Sequence, residues 1–360
     1  MIRRWFKLLP APLLRNVLIL TVVGMAFIYS STFRTGEDFV GRQGAWALVG
    51  LASLVVTVAL GYRFFLSISY SLYALSLILL LVVDVAGATR LGAQRWIHLG
   101  LFSIQPSEIA KIATVLALAN FLGSRNPVEE EGRTVLGSVA LVGVPLLLIM
   151  KQPDLGSASL MIPIVAVPLF LWGVRYRYLV VTLLTGFLAS PFVWNLLRDY
   201  QKKRILVFLN PQLDPLKSGY TAIQSRIAVG AGGLFGKGWL HGTQSQLDFV
   251  PEHHTDFIFS VIAEEMGFLG AASLVILYGT LFYQIIQLME RTTDVKAKLL
   301  AVGILSLFFF QVLINIGMSF GLFPITGITL PFISYGGSSL VIAFTAIGLL
   351  VSIHKERSIF

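Results

Sequence analysis

Ten long apolar runs dominate the chain and decide what it can fold into. They fall at 13–31, 44–62, 66–85, 109–123, 135–150, 155–174, 178–197, 257–289, 299–320 and 330–353. A helix needs about 20 apolar residues to cross the hydrocarbon core of a bilayer. Most of the runs suffice; the fourth and fifth are short, and the eighth is long enough to project beyond it. Barrel strands would instead alternate apolar and polar residues over about 10 positions, whereas these blocks are unbroken. The expected fold is therefore all-α: a polytopic membrane protein of about ten transmembrane helices, read as a single unit over residues 1–360. Only 12% of the 360 residues are charged, about half the share in soluble domains. That excludes an ordinary cytosolic enzyme and a disordered chain. The first run is too long for a signal-peptide core and lacks a small-residue cleavage site, so it is expected to be retained.

An even number of spans puts both termini on one side. With that side inside, the inner segments carry Arg3, Arg4, Lys7, Arg15, Arg63, Arg125, Arg133, Arg175, Arg177, Arg291, Lys296, Lys298, Lys355 and Arg357. The short outer loops carry Arg34, Arg42, Arg90, Arg95 and Lys151. This bias favours cytoplasmic termini. One long segment, 198–256 between spans seven and eight, is then extracytoplasmic. It holds aromatics, a Pro-rich turn at 210–215 and a Gly cluster at 230–238, so short ordered helices are expected in it. Loops longer than about 15 residues are commonly functional.

Four places could carry chemistry. Asp256 stands where the long segment enters span eight. A carboxylate there either caps the helix or acts as a general base at the membrane–water boundary. Glu108 and Lys111, three residues apart at the start of span four, share a helix face; they are either a structural ion pair or a cavity-lining pair that meets an anionic headgroup. Asp154, ahead of span six, again invites a capping role. Three acidic groups at outer helix ends nevertheless suggest one polar, outward-facing cavity. Finally, the basic 198–237 stretch, with Lys203 and Arg204 among its charges, is either a solvated surface or a clamp for phosphate. Lipid diphosphate suits an outer membrane face; nucleic acid does not.

Other patterns fail. The Gly cluster lacks a phosphate-loop spacing, because Gly238 follows Lys237 and Ala231 stands where the first Gly is needed. His253-His254 lacks the spacing of a zinc helix. With no cysteine in the chain, disulfides, thiolate metal sites and cysteine nucleophiles are excluded. Glu264 and Glu265 read as a polar face or an interhelical bond of span eight.

The stretch 315–339, NIGMSFGLFPITGITLPFISYGGSS, resembles the signature of the SEDS family, the RodA, FtsW and SpoVE proteins. Asn315, Gly321, Pro324, Gly327, Ser334, Gly336 and Gly337 fall at the family spacing. The resemblance extends to QPSEIAK, QPDLGSA, YQKKRI, GKGWLHGTQSQLDFVPEHHTDFIF and AEEMGFLG, and the KGWLHGTQSQ segment and short tails are closer to the RodA branch. It implies a ten-helix peptidoglycan glycosyltransferase that polymerises lipid II on the outer face of the cytoplasmic membrane during cell elongation. The implied partners are a class B penicillin-binding protein as transpeptidase, further elongation-complex proteins and membrane lipid. The family's essential aspartate corresponds to Asp256, its cavity pair to Glu108 and Lys111, and its QPDLG aspartate to Asp154.

On this reading the 4-hydroxyl of one lipid II attacks C1 of the growing lipid-linked chain, diphosphate leaves, and the anomeric centre inverts. Asp256 is the base. Arg204 and its basic neighbours, including Lys203 and Lys111, stabilise the leaving charge. No cofactor is required, although a divalent cation could share that role. The alternatives are a lipid II flippase, which needs a path lined from both sides, and a non-catalytic scaffold for the transpeptidase.

Overall fold

A computed structural model describes residues 10–34, 36–86, 88–90, 93–99, 102–126, 131–197, 199–215, 218–247 and 249–357. Ten helices of 18 or more residues lie in the described residues. They are α1 Ala11–Thr32, α2 Phe39–Leu60, α4 Ser69–Ala86, α5 Pro106–Gly123, α6 Glu131–Lys151, α7 Leu155–Trp172, α8 Tyr176–Leu196, α12 Ile258–Glu290, α13 Val295–Phe320 and α14 Gly337–Arg357. The short helix α3, Tyr62–Ser67, joins α2 to α4. Seven of the ten are both long and apolar enough to cross a membrane. The protein is therefore a multi-pass helical membrane protein.

Helix direction alternates, so the connections divide between two faces. Among the described residues, those of 33–38, 88–105, 152–154, 199–257 and 321–336 share the Asp256 face, and 61–68, 124–126, 173–175 and 291–294 share the other. Hydrogen bonds tie each face together. On the Asp256 face, His253 contacts the Ser31 carbonyl at 2.7 Å and Tyr335 N–H donates to the His254 carbonyl at 3.0 Å. On the opposite face, Tyr62 donates to Asp294 at 2.9 Å, Lys296 to Asn120 at 2.7 Å, and Arg63 pairs with Glu356 at 2.9 Å.

Two elements depart from the sequence reading. The connection between α4 and α5 folds into a small antiparallel sheet, β1 Ala88–Arg90, β2 Ala93–Leu99 and β3 Phe102–Ile104, in the order β1-β2-β3. The last span begins at Gly337, not 330, because Pro324, Pro331 and Gly327 between them keep 321–336 out of helical geometry. Its middle part is nevertheless largely buried: Ile328, Leu330, Phe332 and Ile333 belong to the core. Non-helical backbone is tolerated at membrane depth only where protein supplies its hydrogen-bond partners. Here Asn315 donates to the Ile328 carbonyl at 2.6 Å, Gln311 to Thr329 at 3.0 Å and Tyr278 to Pro331 at 2.6 Å. The fit is close, since a Cβ on Gly24 would meet the Phe332 carbonyl oxygen at 2.6 Å and one on Gly156 would meet that of Thr326 at 2.7 Å. Helices α2 and α14 pack as tightly, with Gly348 against Leu54 and Thr57 and Gly50 against the Phe344 ring.

The described residues of the long 198–256 segment form short helices and turns. It contains α9 Asp199–Leu209, a 3-10 turn Pro211–Leu213, α10 Ser218–Ala231 and α11 Thr243–Gln246. Its Gly cluster serves packing. Gly267 breaks α12 at φ 65°, ψ −163°, and the loop lies across the break, Lys237 and Gly238 donating to the carbonyls of Glu264 and Glu265 at 3.0 and 2.9 Å. Glu264 accepts from Lys237 at 2.7 Å, and Glu265 accepts from Ser30 of α1 at 2.6 Å. Both acidic groups of span eight are thus engaged in holding elements together.

Candidate active site

Asp256 lies in the turn 251–257 that leads into α12. The helix begins at Ile258 with Phe257 as N-cap, and no side chain caps it. The capping role open in the sequence is therefore not the one Asp256 fills. Its backbone is pinned: its N–H donates to Glu252 at 3.1 Å, and its carbonyl accepts from Asn315 at 2.9 Å. Its carboxylate, among the described residues, accepts no hydrogen bond. The residue is half-buried. Gly327, at φ 75°, lies alongside, where a Cβ would stand 3.4 Å from Oδ2. Loss of solvent, reinforced by the Glu252 charge, pushes the Asp256 carboxyl up to about 6, against the opposing pull of Arg204 and Arg95. A base with that affinity for protons is poised for proton transfer near neutral pH.

The charges of two arginines, Arg204 and Arg95, act on the carboxylate. Arg204, on α9, donates to the Ile325 carbonyl at 3.1 Å and lies over the Tyr200 ring at 5.8 Å. Burial lowers its proton affinity, and nearby Arg95 lowers it further. Arg95, on β2, donates to the Pro153 carbonyl and stands 3.8 Å from Asp154. Tyr200 also donates to the Pro153 carbonyl. The sheet, the α6–α7 turn, α9 and the 321–336 segment thus converge beside Asp256. Sequence reasoning counted Arg95 only as a loop charge. The stretch AQRWIHL does not alternate cleanly, since Arg95 shares its strand face with Ala93, Ile97 and Leu99, so the sequence offered no strong signal for it.

Asp154 does cap a helix, accepting from Ser157 N–H at 3.2 Å, and it also accepts from Gln105 and Ser107, each at 3.2 Å. It is buried and holds Arg95 in place. Glu108 and Lys111 form an ion pair at 2.8 Å; Lys111 is 1% exposed and Glu108 7%. Lys203 points elsewhere: its ammonium pairs with Asp214 at 3.1 Å, and its side chain is 51% exposed. Of the sequence candidates, Asp154 meets Arg95, and Arg204 and Asp256 feel the Arg95 charge, whereas Lys203 pairs with Asp214 instead. His253 is buried between the carbonyls of Val250 and Ser31. Among the described residues, no three His, Asp or Glu side chains gather as a metal site.

The family model for FtsW, RodA and SpoVE, described as a cell cycle protein, matches residues 11–359. The peptidoglycan glycosyltransferase MrdB of Escherichia coli K12 is 39% identical over 354 residues, covering 98% of this chain and 95% of the relative. The peptidoglycan glycosyltransferase RodA of Treponema pallidum is 35% identical, covering 96% and 97%. A chain solved in a study of how a peptidoglycan synthase complex coordinates polymerization and crosslinking superposes with a TM-score of 0.84 at 32% identity, covering 97% of this chain and 98% of that one. The rod shape determining protein RodA of Thermus thermophilus superposes with a TM-score of 0.72 at 29% identity, covering 97% of each chain. With its family match running over almost its whole length, and a fold shared with solved relatives, the chain belongs to the FtsW, RodA and SpoVE family.

Proposed function

We propose that this chain polymerises lipid II into glycan strands at the outer face of the cytoplasmic membrane during cell elongation. It is a peptidoglycan glycosyltransferase. The observation that carries the reading is the half-buried Asp256 carboxylate, which accepts no hydrogen bond among the described residues and feels the charges of Arg204 and Arg95 at a helix end. The acceptor's 4-hydroxyl gives its proton to Asp256 as its oxygen bonds to C1 of the donor, and the C1–O bond to diphosphate breaks. The developing diphosphate charge falls to Arg204 and Arg95, with Asp154 positioning Arg95. Lys111 acts through Glu108 in keeping the adjoining helix end polar. Lys203 orders the long loop through Asp214. No resident cofactor is invoked; a divalent cation would enter with the diphosphate.

The basic residues of the opposite face support cytoplasmic termini, which puts Asp256 outside. The partner on this reading is a class B penicillin-binding protein that crosslinks the emerging strand, together with other elongation proteins. Purified protein reconstituted in vesicles with lipid II, with and without that partner, tests the function. Long glycan strands are expected. Lipid II moved between leaflets without polymer would identify a flippase, and neither activity would leave a scaffold.

A further inference from the structure

Two residues before Asp256, three rings meet that the mechanism above does not use. Phe39, in the first turn of α2, has its ring centroid 4.7 Å from that of His254 and 5.0 Å, edge to face, from that of Tyr335. His254 and Tyr335 are 5.9 Å apart. The backbone beneath them is firmly held. Tyr335 N–H donates to the His254 carbonyl at 3.0 Å and Ser334 Oγ to the Thr255 carbonyl at 2.5 Å, while Gly327 lies against Asp256. Gln43, one helical turn beyond Phe39, is buried. It donates to the Ser334 carbonyl and accepts from Gly336 N–H, both at 3.2 Å, gripping the peptide on either side of Tyr335.

A cluster serving only to staple α2 to these loops would bury its rings. Phe257, Phe259 and Phe332 nearby do so, at 1–2% exposure. Phe39, His254 and Tyr335 are only partly buried, Phe39 and Tyr335 lying against the edge of the core. Their open edge is polar: the Arg42 guanidinium lies 5.9 Å from the Phe39 ring centre and 3.5 Å from Glu37, both side chains more than half exposed. Aromatic rings carry negative faces, which suit the C–H face of a pyranose, while its equatorial hydroxyls turn outward to polar groups. Successive Cα atoms are about 3.8 Å apart, so the Cα atoms of His254 and Asp256 lie within about 7.6 Å of each other.

We propose that Phe39, His254 and Tyr335 form the floor of a subsite for one pyranose ring of the substrate saccharide, with Arg42 and Glu37 at its rim. The subsite rests on the glycosyl-transfer reading above. The test uses the full chain in detergent and calorimetric binding of two probes, lipid II and undecaprenyl diphosphate, with Tm measured on each sample. Phe39→Leu should weaken lipid II binding about tenfold, raise KM more than it lowers kcat, and leave undecaprenyl diphosphate binding and Tm unchanged. Phe39→Tyr should restore affinity. Tyr335→Leu should behave like Phe39→Leu and carries the test if the latter does not fold. Leucine variants that bind lipid II as wild type does, or that lose both probes equally with a lowered Tm, overturn the subsite while leaving glycosyl transfer intact. Wild-type protein that makes no glycan overturns both.

Discussion

Replacing Asp256 with asparagine removes a proton acceptor and an ill-solvated charge together, and the two effects run in opposite directions. The Asp256 carboxyl titrates at about 6 in the folded protein against an ordinary value of 3.8. Because the folded value is raised, the protonated form favours the fold; that contribution is complete below pH 3.8 and is lost as pH rises through about 6. Two pH units correspond to roughly 3 kcal/mol as an upper bound. Partial solvent access brings the figure down to about 1–2 kcal/mol. Asp256→Asn avoids that loss, so it should melt several degrees higher than wild type at pH 8, with the gap closing below about pH 4. Its glycan synthesis should fall by about 10²–10⁴-fold, the usual contribution of a general base. In wild type, about one carboxyl in eleven is ionised at pH 5 against about ten in eleven at pH 7. Initial polymerisation rates at saturating lipid II should therefore drop about tenfold between those values. Melting, lipid II binding and product length belong on one preparation. A destabilised Asp256→Asn protein, or one that polymerises normally, would refute the argument.

Lys111→Met strands the Glu108 carboxylate and should cost about 3–5 kcal/mol, read as a lower Tm; Glu108→Gln in the same chain should restore it, and an unchanged Tm in the single variant would mean the pair is solvated. Arg204→Lys keeps the charge but loses the planar fork that reaches the Ile325 carbonyl; its kcat should fall by about 10² with KM little changed, and wild-type kcat would remove Arg204 from charge stabilisation. Single cysteines at Ser218 and Thr243 should react with an impermeant thiol reagent on intact cells, and those at Ser124 and Thr293 only after permeabilisation; the reverse pattern would put Asp256 on the cytoplasmic side.

The spans were legible because bilayer thickness imposes a length and a composition that survive in any sequence. The site was legible only in part. Asp256 and Asp154 look alike locally, each an acidic residue ahead of an apolar run, yet one caps its helix and the other does not. The distinction depends on where the first helical turn closes, and that turns on Phe257 rather than on the aspartate. Arg95 escaped notice because its partner carbonyl at Pro153 is far along the chain. The non-helical course of 321–336 was hidden for a similar reason: its apolar residues read as the start of a helix, while its backbone partners Asn315, Gln311 and Tyr278 lie on other helices.

That segment also sets when the site can come into being. Asn315 holds Asp256, Ser334 holds Thr255, and Gln43, on the second long helix, waits for residues 334 and 336 near the end of the chain. Tyr62 N–H likewise finds its partner only at Ser352 Oγ, at 2.7 Å. A chain still being synthesised can insert eight or nine helices and still lack the wall of its own active centre. The wall of the active centre is therefore completed by 321–336, after the ninth long helix and before the last one.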